Sequence, residues 1–366
     1  MHKRRCSLYK SLQAGRALAA IFVLLFHLGG AIAAGKYFGF TAFEIPFSFG
    51  SAGVEFFFVL SGFIILTAHR CDIFSPDKLA SYIKKRLIRI YPTYWIIFLG
   101  VYFLAISSNT LRNSVPHDLF ILLKSLLLIP QDKNVVGGCG APVIIVAWTL
   151  QYEMFFYCFF IFMILSRWLS VIAGFVVLYI YINYSGNLSP SYLLAFVSKD
   201  YILLFAMGMG ISAICASKKA VIDNPMFYLS TGVVLFLFIA LDTVLQLQLL
   251  CGQITILYGV ASSMIIFGLV QLEDAGHVIG GNRWLQLLGD SSYALYLIHY
   301  PLISALCKLS LFRKLDTIGI IGALITFVFI FFACLISSAV FHLMLEKPFH
   351  AYIRNHPLKT KYIGQQ

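Results

Sequence analysis

Apolar runs long enough to cross a bilayer follow one another along this chain and leave few ways to fold it. Ala17–Leu28, Phe56–Leu66, Val171–Ile182, Gly232–Leu241 and Ile318–Val340 are examples. Each approaches, or forms the centre of, the ~20 residues that a helix needs to cross ~30 Å of hydrocarbon. Charged residues make up 11% of the sequence and hydrophobic ones 60%. Soluble domains carry about 25% charged residues, so this chain lacks the polar surface a water-soluble enzyme requires. The fold class that follows is an all-α polytopic membrane protein.

Ten spans are expected, at about 12–34, 48–68, 89–107, 143–165, 168–184, 199–216, 226–245, 252–271, 285–307 and 317–345. Leu119–Ile129 is apolar but too short to cross, and reads as an interfacial or re-entrant piece of a long loop. Met1–Arg5 followed by an apolar run resembles a signal peptide, but Arg16 and His27 interrupt that run, which favours a retained first span. An even number of spans places both termini on one side. With the amino terminus inside, the inner segments hold 18 Lys and Arg and the outer ones 8. That bias predicts cytoplasmic termini, with short tails at about 1–11 and 346–366. It also accounts for the net charge of +12 without invoking nucleic acid. The eight cysteines are scattered, mostly in apolar spans, and no Cys/His spacing suits a metal. No extra soluble domain or internal repeat is evident, so residues 1–366 read as a single membrane domain.

An ionisable side chain inside a span is expensive, and by default it marks function. Arg16, His27, Glu55, Glu153 and His299 all qualify. Arg16 and His27 are eleven positions apart, which puts them on one helix face and roughly 16 Å apart along the axis. If the first span starts near residue 12, Arg16 sits at the cytoplasmic edge and His27 roughly 22 Å deep. The same arithmetic sets Glu55, Glu153 and His299 in one broad layer with His27, at the middle to outer half. Arg16 could instead snorkel to the cytoplasm, and His27 could serve an inter-helix hydrogen bond. A buried imidazole beside a carboxylate is, however, the arrangement that makes a general base.

Arg86 and Arg89 share a face at the cytoplasmic entry to the third span, in the densest basic cluster of the chain. They read either as topological anchors or as a phosphate site suited to guanidinium forks. Trp148, Tyr152 and Tyr157 could line a carbohydrate site or belong to an interfacial aromatic belt. Ser61, Gly62 and the glycines near Gly53 read as close-packing positions, and Glu346-Lys347-Pro348 as a helix stop at the cytoplasmic surface.

Six elements in order carry a family resemblance. They are Arg16 with His27, GVEFFFVLSGFII (Gly53–Ile65), RLIRIYPTYW (Arg86–Trp95), AWTLQYEMFFY (Ala147–Tyr157), LGDSSYALYLIHYP (Leu288–Pro301) and LEKPF (Leu345–Phe349). Together they make the chain resemble the membrane acyltransferase-3 family almost end to end, from Leu12 to about Phe349. The wording of the fourth element is similar to members that acetylate bacterial exopolysaccharide. The resemblance implies transfer of an acyl group, usually acetyl, from cytoplasmic acyl-CoA to a glycan hydroxyl, in a bacterial cytoplasmic (inner) membrane. It implies His27 as the catalytic histidine with Glu153 and Glu55 as acidic site residues, and Arg16, Arg86 and Arg89 on the acetyl-CoA side. Trp148, Tyr152 and His299 are then expected near the acceptor, with no metal. Partners would be the bilayer, a glycan or lipid-linked oligosaccharide acceptor, and a second copy or polysaccharide-assembly proteins. Two departures stand out: Glu55 where many members have Asp, and Met154 where many have a second acid. A transporter or flippase of lipid-linked glycans would also bury ionisable residues near the bilayer centre. The absence of a repeat and the Arg16-to-His27 spacing speak against it.

Overall fold

The computed structural model describes residues 9–109, 111–185, 191–217, 224–250 and 252–355. The outer parts of both expected tails, 1–8 and 356–366, lie outside the described residues. Helix dominates because a backbone in hydrocarbon must pair its own N–H and C=O groups. Among the described residues, ten helical stretches are long and apolar enough to cross a membrane. Ten such stretches are the architecture of a multi-pass integral membrane protein.

The chain opens with α1 (Lys10–Ala33), a 3-10 run over Ile45–Ala52 that leads into α2 (Gly53–His69), and α3 (Leu79–Ile106). Two short helices follow, α4 (Leu119–Leu126) and α5 (Lys133–Val136), then α6 (Trp148–Leu165) and α7 (Arg167–Tyr184). The second half holds α8 (Tyr192–Val197), α9 (Tyr201–Ala216), α10 (Pro225–Leu245) and α11 (Ile254–Asp274). It closes with α12 (Arg283–Asp290), α13 (Ser292–Phe312), α14 (Gly319–Phe341) and α15 (Lys347–Asn355).

Local chemistry sets several helix starts. The Asp118 carboxylate accepts from the backbone N–H groups of Phe120 and Ile121 at 2.8 and 2.9 Å, capping α4. Ser166 caps α7, and Asn282 caps α12 at 2.8 Å from Leu285 N. Asn224 caps α10, with Pro225 at its first position, where the missing N–H has no cost. The short α4 matches the apolar segment too short to cross.

Two of the boundaries that differ from the sequence expectation bear on the site. The third spanning stretch begins at Pro76 instead of 89, so Arg86 and Arg89 lie well inside a helix. The ninth was expected as one span over 285–307 but is two helices, with a break at Ser291. Polar Arg283, Gln286 and Asp290 recur every three to four residues on α12, so it is amphipathic, and the apolar run proper begins only at Ser292.

Helix α1 packs against α2, α12, α13 and α14, so the Arg16–His27 helix is inside the bundle. Helix α7 has no buried residue and packs mainly on α6 and α8 at the periphery. The tightest seam joins α2 to α9. A Cβ on Gly62 would lie 2.1 Å from the Phe205 carbonyl oxygen, and one on Gly208 1.9 Å from that of Val59. Such small-residue contacts let helices approach closely where lipid supplies no hydrophobic drive.

Overpacking a fitted interior costs about 1–3 kcal/mol, and here the obstacle is backbone. Gly208→Leu is therefore expected to lower the thermal midpoint and to broaden the size-exclusion peak in detergent. A Cβ on Gly174 of α7 meets nothing within 4 Å among the described residues, and Gly174→Leu should behave like wild type.

Candidate active site

Polar residues that cannot face lipid converge on one cavity of about 220 Å³ between α1, α2, α3, α6, the end of α12, α13 and the turn that follows α14. Arg16, Arg89, Glu153, Asp290 and Glu346 supply its charged side chains, and His342, Tyr293 and Tyr296 line it as well. Phe57, Phe58, Leu60, Ile64 and Leu150 supply apolar wall, and Ser61 faces the same space. Opposite charges sharing one enclosure offset part of the cost of burying each.

Each charge is held from a different helix. Arg16 donates to Gln13 Oε1 at 2.9 Å, one turn earlier on α1. Gln13 in turn donates through Nε2 to Asp290 at the end of α12. The amide thus links the carboxylate to the guanidinium and orients both. Gly289 makes this possible, because a Cβ there would lie 2.3 Å from the Gln13 carbonyl oxygen. On α6, Glu153 accepts from the Tyr157 hydroxyl one turn on.

Glu346 corrects an expectation. Its sequence context suggested a helix stop at the cytoplasmic surface, yet its side chain is only 6% exposed and lines the cavity. The reason is a π-helical turn over His342–Glu346, which rotates the carboxylate inward. Such turns are rare and often occur at functional sites. Thr93 Oγ1 donates to Glu346 Oε1 at 2.9 Å, and His342 Nδ1 donates to Oε2 at 2.7 Å.

The two arginines of the third span separate. Arg89 lines the cavity. Arg86 is buried with its guanidinium over the rings of Tyr82 and Tyr157, at 5.7 and 5.2 Å, and is absent from the cavity wall.

His27 lies apart from the charged cavity. Its ring centroid is 5.2 Å from that of His299 and 5.2 Å from that of Tyr300. Tyr296 connects the two regions: it lines the cavity, accepts from Thr149 Oγ1 at 3.0 Å, and sits 5.8 Å from the His299 ring. Of the expected layer, the fold thus brings His27 and His299 together. It sets Glu153 with the arginines instead. Glu55 is buried in the first turn of α2, with Oε2 lacking a hydrogen-bond partner among the described residues. Among the described residues, no hydrogen bond or ion pair joins His27 to either glutamate.

Trp148 and Tyr152 occupy an aromatic cluster with Phe58 and Tyr201, and the Tyr152 hydroxyl donates to the Phe196 carbonyl at 3.1 Å. Gln13, Thr93, Asp290, His342, Tyr296 and Glu346 escaped the sequence reading as site residues. Asp290 and Glu346 did carry a signal, since both are acids bordering apolar spans within two of the six quoted elements.

What this arrangement can do is present the guanidiniums of Arg16 and Arg89 to an anionic group beside an apolar wall, with the His27–His299 pair behind Tyr296. Comparison with known proteins bears on that chemistry. The chain is 30% identical over 314 residues to "Exopolysaccharide production protein ExoZ" of Rhizobium meliloti (strain 1021), covering 82% of this chain and 90% of that protein. It is 29% identical over 116 residues to "Acyltransferase MdmB" of Streptomyces mycarofaciens, covering 30% of this chain and 27% of that one. No solved structure matches it significantly. A family model described as an acyltransferase domain matches residues 9–343, nearly the whole described chain, and the protein therefore belongs to the acyltransferase-3 family of membrane acyltransferases.

Proposed function

We propose that this acyltransferase is an O-acetyltransferase that moves an acetyl group from cytoplasmic acetyl-CoA to a hydroxyl of a cell-surface or exopolysaccharide glycan. The observation that carries the reading is the packing of Tyr296, a wall residue of the charged cavity, on the His299 ring of the His27–His299 pair. The relation to an exopolysaccharide production protein supports the glycan as acceptor. The protein would act in a bacterial cytoplasmic membrane with both termini inside, as the Lys and Arg bias predicts.

In this scheme the two guanidiniums of Arg16 and Arg89 hold the anionic part of the donor, and the apolar wall accommodates its neutral arm. Gln13 and Asp290 keep Arg16 aimed into the cavity. His27 removes the proton of the acceptor hydroxyl as the oxygen attacks the thioester carbon, and general-base assistance of this kind supplies about 10²–10⁴-fold. The carbon–sulfur bond breaks and the thiolate takes up the proton.

The test is acyl transfer by the purified protein in liposomes, with radiolabelled acetyl-CoA inside and an oligosaccharide or lipid-linked oligosaccharide acceptor. Label is expected on the acceptor as a base-labile ester. Movement of a lipid-linked glycan across the bilayer without acylation would instead establish the transporter reading.

A further inference from the structure

His299 combines two features. It is 1% exposed, and its ring has a fixed hydrogen-bonding sense. Nδ1 lies 3.0 Å from the carbonyl oxygen of Leu295, one turn earlier on α13. A carbonyl can only accept, so Nδ1 carries the proton. In the neutral ring Nε2 is then an acceptor. That Nε2 is buried and has no hydrogen-bond partner among the described residues. An unsatisfied buried acceptor costs about 1–3 kcal/mol, so its retention calls for a donor that engages it in the working protein.

The neighbouring ring is His27. A nitrogen–nitrogen hydrogen bond of about 2.9 Å plus the two ring radii requires a centroid separation of roughly 5 Å. The observed separation is 5.2 Å, with 36° between the planes. His299 is pinned by Leu295, so the small adjustment falls to the His27 ring, whose second torsion is soft. The ion pairs that histidines make among the described residues are His69–Asp72 and His342–Glu346; neither His27 nor His299 has one. The ring of Tyr300 stands at 90° to that of His27 and limits how far it can turn.

We propose that His299 is the positioning residue of the reaction, accepting a hydrogen bond from His27 through Nε2 in the place a carboxylate occupies in hydrolytic triads. The bond fixes the His27 tautomer and leaves its other nitrogen as the base. A neutral acceptor does this without adding a charge to the hydrocarbon layer. The inference rests on His27 being the base of the reaction proposed above. The acceptor O–H proton goes to the free nitrogen of His27, the oxygen bonds the acyl carbon and the thiolate leaves with that proton. His299 exchanges no atom.

Two measurements on the full chain in lipid bilayers test it. Solid-state NMR of 15N-histidine protein is expected to show a correlation between two ring nitrogens that share a proton, lost in His27→Phe. This readout needs no turnover. A wild-type protein that shows the correlation but transfers no acyl group overturns the proposed activity alone, whereas a missing correlation overturns the His27–His299 pair. Kinetically, His299→Ala should lower kcat about 100-fold or more with both KM values nearly unchanged. His299→Gln, whose amide oxygen can accept the same bond, should recover part of the loss. A raised acceptor KM at wild-type kcat would instead make His299 a substrate contact and end the proposal. Equal loss in Ala and Gln variants would also count against it.

Discussion

His27→Ala is expected to reduce acyl transfer below detection while the protein still inserts, folds and binds donor. The expectation follows from position. The His27 ring is partly buried and packs on His299 and Tyr300, away from the charged cavity. Its removal therefore leaves the network of Arg16, Gln13 and Asp290 intact. Loss of a general base alone accounts for about 10²–10⁴-fold. Donor binding, read by titration of a non-transferable acyl-CoA analogue, should stay near wild type. A His27→Ala protein that still acylates its acceptor would refute the scheme. The same preparation distinguishes direct attack from an acyl-histidine relay. In the absence of acceptor, a relay accumulates labelled acyl-enzyme on wild type and none on His27→Ala.

The second large effect separates two arginines that the sequence treats alike. Arg89→Ala should weaken donor binding. A charge-assisted hydrogen bond is worth about 1.5–3 kcal/mol, which corresponds to about 10–100-fold in affinity. Arg86→Ala should chiefly cost stability, because its guanidinium packs over Tyr82 and Tyr157 and is absent from the cavity wall. Cation–π contacts of this kind contribute about 0.5–2 kcal/mol. Thermal unfolding and donor titration on both variants decide the matter. Equal losses of donor affinity would mean that both guanidiniums meet the donor.

The differences between sequence expectation and structure have physical causes. The spans were legible because hydrophobic length is a local property that a bilayer reads directly. The break at Ser291 was not, because α12 and α13 are both helical and differ only in which face is apolar. Glu346 was misplaced because a π-turn adds a residue to the helical repeat, which no 3.6-residue projection anticipates. Glu153 was grouped with His27 because depth along a helix fixes one coordinate and leaves the facing direction open. The side chain lines the same cavity as Arg16 and Arg89 instead.

Sequence alone determined the class of the molecule, the number of spans, the Arg16–His27 helix and the family. All are carried by composition or by short contiguous segments. Only the tertiary structure decided that Arg89 enters the cavity while Arg86 does not, that Glu346 and Asp290 join it, and that His27 meets a second histidine and, among the described residues, no carboxylate. Those outcomes depend on how helices rotate and cross, which is settled by contacts between distant segments such as Gln13 with Asp290 and Thr93 with Glu346. The bilayer dictates that charges be buried, and packing decides which ones share an enclosure.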